Sequence, residues 1–134
     1  MNIGRGSVKS FAGFLLDRPR LMGVVNVTPD SFSDGGETLD PAYALERGRA
    51  MLDAGVDILD VGGESTRPGA EPVAAEDEIK RVVPVVKALS ELGAKVSIDT
   101  RRASVMKAAI EAGAQIINDV TALTGDPDSL SLVT

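Results

Sequence analysis

The chain reads as an α/β protein: four parallel βα units that would form the N-terminal half of a (β/α)8 barrel. Three observations predict this. One phrase recurs along the chain, in which a glycine is followed by a short β-branched run and then a polar carboxylate or amide. Patterns with helical spacing fill the gaps between its copies. The polar residues all fall at the C-terminal ends of the predicted strands, where barrel enzymes gather their chemistry.

The first strand is the run Leu21, Met22, Gly23, Val24, Val25, leading into Asn26. The repeated phrase then appears at residues 54–60 (AGVDILD), 92–99 (LGAKVSID) and 112–118 (AGAQIIN). Each glycine suits the end of a helix, because only glycine takes the left-handed conformation there without steric cost. The short apolar run after it suits a parallel strand buried on both faces. Asp40-Pro41 marks a first helix, with an N-cap and a proline in the first turn, followed by Leu45, Met51 and Leu52. Ile79, Val82, Val83, Val86 and Leu89 form one apolar stripe of a second helix, which Pro84 is expected to kink or to end. Thr100 is placed to cap a third helix carrying Val105, Ala108, Ala109 and Ala112, and Asp126-Pro127 to open a fourth.

This β-α order calls for a parallel sheet with right-handed crossovers, which doubly wound and barrel folds both satisfy. The strand-end residues Asn26, Asp60, Asp99 and Asn118 favour the barrel. A complete barrel typically takes ~250 residues. The 134 residues here make one domain that stops after its fourth strand, with residues 1–20 as a lead-in segment. An isolated half barrel would expose two strand edges and an apolar inner face. The expected remedy is a homodimer, or a companion chain that supplies the missing half.

Composition narrows the chemistry. With 14 basic and 20 acidic residues the net charge is -6, which argues against nucleic acid and membrane surfaces as partners. Hydrophobic residues make up 43% of the chain, enough for a real core. No apolar run approaches a membrane span, and residues 1–10 lack the apolar centre of a signal peptide, so a soluble, cytoplasmic protein is expected. Cysteine and histidine are both absent, which removes disulfides, the usual zinc sites and Ser-His-Asp or Cys-His catalysis. Carboxylates, amides, hydroxyls, Arg, Lys and backbone groups remain.

Two loops are candidates for function. Residues 26–36 (NVTPDSFSDGG) are long for a connection after a strand. They are either a surface loop of ordinary turn residues or a lid, with Phe32 placed among hydroxyls and carboxylates. Residues 62–70 (GGESTRPGA) pair glycines that let backbone approach a ligand with the hydroxyl of Thr66 and the guanidinium of Arg67. Arg suits bidentate contact with phosphate oxygens, so this loop points to a phosphate site. Asp99 and Asn118 together offer a donor–acceptor set for a flat heterocycle. Taken singly, each would serve as a helix cap, and Asp99 as an ion-pair partner for Arg101 or Arg102.

These two loops, with residues 97–100 (SIDT) and 117–120 (INDV), closely resemble the signatures of the dihydropteroate synthase family, in order from about Leu21 onward. The resemblance implies a (β/α)8 barrel that condenses 6-hydroxymethyl-7,8-dihydropterin diphosphate with p-aminobenzoate, releasing pyrophosphate in folate biosynthesis. It implies that Asp99 and Asn118 hold the pterin with Asp60 beneath them. Asn26 would coordinate Mg²⁺, while Thr66 and Arg67 grip the diphosphate. Phe32 and Pro68 would line the p-aminobenzoate and sulfonamide pocket. Asp34, on the first loop, would lie near the developing positive charge, making Asp34, Asp99 and Arg67 the catalytic set. The family's contributions from strands five to eight are not in this chain, which leaves a catalytically inactive pterin- or diphosphate-binding fragment as the first alternative. A pterin-binding methyltransferase domain, which would have no use for a diphosphate grip, is the second.

Overall fold

A computed structural model describes residues 9–28, 40–66 and 68–134. A short hairpin comes first, β1 (Ser10–Phe11) and β2 (Phe14–Leu15). Its turn places Ala12 and Gly13 at φ 49 and 84, the paired positive angles of a tight hairpin turn. Four parallel strands follow: β3 (Met22–Asn26), β4 (Ile58–Gly62), β5 (Lys95–Asp99) and β6 (Ile116–Asn118), lying side by side in chain order. Between them run α1 (Pro41–Asp53), α2 (Ala75–Glu91) and α3 (Ala103–Ala112), and α4 (Ser129–Val133) comes last. The order is that of the expected half barrel.

The glycines of the repeated phrase act as the sequence suggests. Gly55, Gly93 and Gly113 all have positive φ where a helix gives way to the next strand. Asp40 accepts a hydrogen bond from the Ala42 amide at 2.9 Å and caps α1. Three local expectations need correction. Pro84 does not end its helix: α2 runs unbroken through it, with Pro84 on the exposed side, where water can satisfy the carbonyl that loses its partner. Thr100 does not cap α3; its hydroxyl accepts from the Arg102 amide, while Asp126 takes the first helical amide, Ala103, at 2.8 Å. Asp126-Pro127 does not itself begin α4, which starts two residues later at Ser129; Asp126 instead closes the turn before it, accepting from Asp128.

Residues paired in register on parallel strands share a face, and alternate residues share a side. One face carries Val25, Leu59, Val61, Val96 and Ile98, packed under Ala44, Val82, Val86, Leu89, Val105 and Ala109 of the helices to form the core. The opposite face, concave in a barrel, is layered. Met22, Ile58 and Lys95 lie at the N-terminal end, then Val24, Asp60, Ser97 and Ile116. Asn26, Gly62, Asp99 and Asn118 lie at the C-terminal end. The hairpin packs near the N-terminal end, where Phe14 sits between Arg20 and Lys95. On the edge strand β3, Met22 and Val24 remain 44% and 50% exposed, so this face is apolar and uncovered there.

Candidate active site

The C-terminal layer of the inner face is almost wholly polar. Asn26, Gly62, Asp99 and Asn118 follow one another across the four strands, with Asp60 one layer below. Gly62 contributes no side chain, which leaves a gap between Asn26 and Asp99. Gly63 is required for another reason: a Cβ there would stand 2.8 Å from Val82 Cγ1 and 3.3 Å from Glu78 Cγ. The glycine pair therefore both opens the inner face and lets the second loop lie directly on α2.

Asp60 is buried, and only one of its oxygens is engaged. The Asn118 Nδ2 donates to Oδ2 at 3.2 Å, while Oδ1 has no hydrogen-bond partner among the described residues. Burial raises its pKa above the ordinary carboxylate value, partly offset by the neighbouring Ser97 and Asn118 side chains. The Ser97 hydroxyl, across the register from Asp60, is likewise buried, and its closeness to that carboxylate holds the rise in check. Asp99 is half-buried, and its pKa is pushed up to about 6 by burial and then by the negative charges of Asp60, Glu78 and Asp119.

The ion-pair alternative for Asp99 does not hold. Arg101 Nε donates to Glu64 Oε1 at 2.8 Å, and Arg102 pairs with Glu64 and Glu78 at 3.2 and 2.7 Å. Asp119 is occupied within its own turn by the Thr121 amide and hydroxyl and the Leu123 amide. Asp99 thus remains without a hydrogen bond or salt bridge among the described residues. Unpaired buried polar atoms are rare in native proteins, and two of those among the described residues, Asp60 Oδ1 and Ser97 Oγ, lie on this open face beside the unpaired Asp99 carboxylate, as expected where a ligand supplies the partners. A carboxylate oxygen of Asp60, the carboxylate of Asp99 and the amide of Asn118 present acceptors and a donor suited to the amino and ring N–H groups of a heterocycle.

Asn26 ends β3, exposed on this same inner face. Among the described residues no group of three or more carboxylate, His or Cys side chains gathers to hold a metal ion. The donors present fit a hard cation only if most of its oxygens come from phosphate and water, as Mg²⁺ commonly accepts. Thr66 and Pro68 lie exposed on the loop after β4. Phe32, Asp34 and Arg67 lie outside the described residues.

Sequence reasoning missed the ionic cluster beneath the second loop. Glu78 is fully buried, with Oε1 on Arg102, while Arg81 donates to the Gly63 carbonyl at 3.0 Å. One signal was available: Glu78 precedes Val82 by one helical turn and so continues the apolar stripe of α2 inward.

Comparison with known proteins agrees with this arrangement. Residues 22–134 match the family model described as pterin binding enzyme. A probable bifunctional folylpolyglutamate synthase/dihydropteroate synthase of Haloferax volcanii is 58% identical over 112 residues, which are 84% of this chain and 13% of that protein. The dihydropteroate synthase of Mycobacterium leprae is 53% identical over 114 residues, 85% of this chain and 40% of that enzyme. Among solved structures, Xanthomonas albilineans dihydropteroate synthase with 4-aminobenzoic acid superposes with a TM-score of 0.82 at 50% identity, covering 90% of this chain and 45% of that one. The Yersinia pestis enzyme in complex with a sulfonamide drug gives 0.82 at 47% identity, covering 89% and 43%. The chain therefore spans less than half the length of these relatives. No helix of the described residues is long and apolar enough to cross a membrane. By the matched span and the strand-end residues within it, the chain belongs to the pterin-binding enzyme family, and its relatives are dihydropteroate synthases.

Proposed function

We propose that this chain supplies the pterin- and diphosphate-binding half of a cytoplasmic dihydropteroate synthase. The observation that carries the reading is the set of Asp99 and Asn118 at adjacent strand ends with Asp60 one layer below them, buried or half-buried with acceptors left open. In this reading Asp60 Oδ1 and Asp99 accept from the amino-pyrimidine edge of the pterin, and Asn118 both braces Asp60 and meets the ring. Thr66 and Arg67 hold the diphosphate. The C–O bond between the pterin methylene and the diphosphate breaks as the neutral arylamine nitrogen of p-aminobenzoate bonds to that methylene. The amine's surplus proton then leaves to solvent or to pyrophosphate. Positive charge develops on the pterin, and the carboxylates of Asp34 and Asp99 stabilise it electrostatically. No histidine base is required, because the attacking amine is already neutral. Phe32 and Pro68 form the wall against which the p-aminobenzoate ring, or a sulfonamide in its place, would lie. Mg²⁺, held by the Asn26 amide oxygen together with phosphate and water oxygens, would neutralise the leaving diphosphate.

The exposed apolar inner face at Met22 and Val24 supports a second copy or a companion segment packed against it. The test is dihydropteroate formation by the 134-residue chain given pterin diphosphate, p-aminobenzoate and Mg²⁺, with an Arg67→Ala chain prepared alongside. Turnover well above the Arg67→Ala control is expected where a complete barrel assembles. Pterin binding without turnover would favour the inactive-fragment alternative, and a folded chain that binds no pterin would overturn the proposal.

A further inference from the structure

The second loop is closed by a single carboxylate. Glu64 Oε2 accepts from the Val73 amide at 3.0 Å, so one side chain joins the two ends of the segment that contains Thr66. The same carboxylate accepts from Arg101 Nε at 2.8 Å, and Arg101 lies two residues after Asp99. Arg102 Nη2 reaches Glu64 at 3.2 Å, and Arg102 Nη1 reaches the buried Glu78 at 2.7 Å. The cluster of Glu64, Glu78, Arg101 and Arg102 is balanced, two charges of each sign. Both arginines are thus engaged by protein carboxylates, a role suited to fixing backbone rather than to gripping a ligand anion. Burial works against the Glu64 charge, but the Arg101 and Val73 hydrogen bonds and the Arg102 charge prevail and hold its pKa below the ordinary range.

We infer that Glu64 is a positioning residue: by closing the loop at Val73 and tying it to Arg101, it sets the Thr66 segment at a fixed distance from Asp99. This rests on the functional reading above, in which Thr66 faces the diphosphate and Asp99 the pterin. Two binding groups set on separate elements serve one linked substrate only if their spacing is held, since small displacements cost large factors in affinity and rate.

The test titrates the 134-residue chain with Mg²⁺-pyrophosphate and, separately, with 6-hydroxymethylpterin, comparing wild type with Glu64→Gln and Arg101→Lys. Glu64→Gln keeps an oxygen for the Val73 amide but loses the charge that holds both arginines. Arg101→Lys keeps the charge and loses the fork. The expected result is pyrophosphate affinity reduced by about tenfold in Glu64→Gln and by less in Arg101→Lys. Pterin affinity should stay within about twofold of wild type in both, which a merely structural role would not allow. Unchanged pyrophosphate affinity in Glu64→Gln, or parallel loss of both ligands, would overturn the inference. A wild-type chain that binds neither probe would overturn the functional reading and the inference with it.

Discussion

Asp57 and Asp60 lie three residues apart, Asp57 just before β4 and Asp60 at its middle, and their surroundings differ in almost every respect. Asp57 stands at the N-terminal end, beside the hairpin. It accepts from the Leu21 amide at 2.9 Å and pairs with Arg18 and Arg20 at 3.0 and 3.4 Å. Those hydrogen bonds, led by the Leu21 amide, lower its pKa. Asp60 lies mid-strand on the inner face, one layer below the C-terminal end, with one amide partner, one open oxygen and a raised pKa. The two carboxylates therefore respond to pH with opposite signs. A depressed folded pKa gives stability that is present above the unfolded value and lost as pH falls. A raised one gives stability that is present at low pH and lost as pH rises. The carboxylate before the strand is completed by the protein itself, and the one within its inner face is left to be completed by something else.

The sharpest way to break this contrast is to neutralise each carboxylate in turn. Asp60→Asn should weaken 6-hydroxymethylpterin binding by about a hundredfold, because an N–H donor would replace an acceptor in a buried site. The melting temperature should hold or rise, since a buried, half-satisfied charge has been removed. Calorimetric titration with parallel thermal unfolding reads both; retained pterin affinity would remove Asp60 from the site. Asp57→Asn should do the reverse. The loss of a carboxylate that anchors Leu21 and two arginines should lower the melting temperature by about 5 °C, with pterin affinity within about twofold. A fall in pterin affinity without loss of stability would put Asp57 on the wrong side of the comparison.

The same contrast explains what the sequence could and could not disclose. Asp99 and Asn118 were legible as strand ends because a glycine, a β-branched run and a polar residue recur in a fixed order; Asp60 fits the same phrase but falls two residues short of its strand end, because β4 runs on through Val61 to Gly62. The helical stripe at Val82, Val86 and Leu89 was legible for the same reason, since its spacing is local. The contacts that hold the loops are not local. Glu64 meets Arg101 across 37 residues, Glu78 meets Arg102 across 24, and Asp126 caps α3 across 23. Such pairings depend on where the crossovers deliver each loop, which no periodicity encodes. The tolerance of Pro84 belongs to the same class, because it rests on which side of α2 faces solvent. The hairpin before β3 escaped notice because its strands are only two residues each.

Asp99 sharpens the comparison within the open end. Its pKa of about 6 reflects burial together with the negative charges of Asp60 on β4, Glu78 on α2 and Asp119 beyond β6. Because that value exceeds the ordinary one of 3.8, the folded state holds the proton more tightly than the unfolded chain. Stability is therefore greatest below the unfolded value and declines as pH rises through the folded one. Asp99→Asn should raise the melting temperature by about 3 °C at pH 8, with the gain vanishing near pH 4, where wild-type Asp99 is itself neutral. Ligand binding should show the opposite trend. A carboxylate that accepts from the pterin's N–H groups with both oxygens loses one acceptor and its charge on protonation, so wild-type affinity should weaken as pH falls through about 6. In Asp99→Asn that inflection should be gone. If it persists, the titrating group is Asp60, and the two carboxylates exchange roles: Asp60 would be the acceptor that senses pH, and Asp99 the charge that raises its pKa.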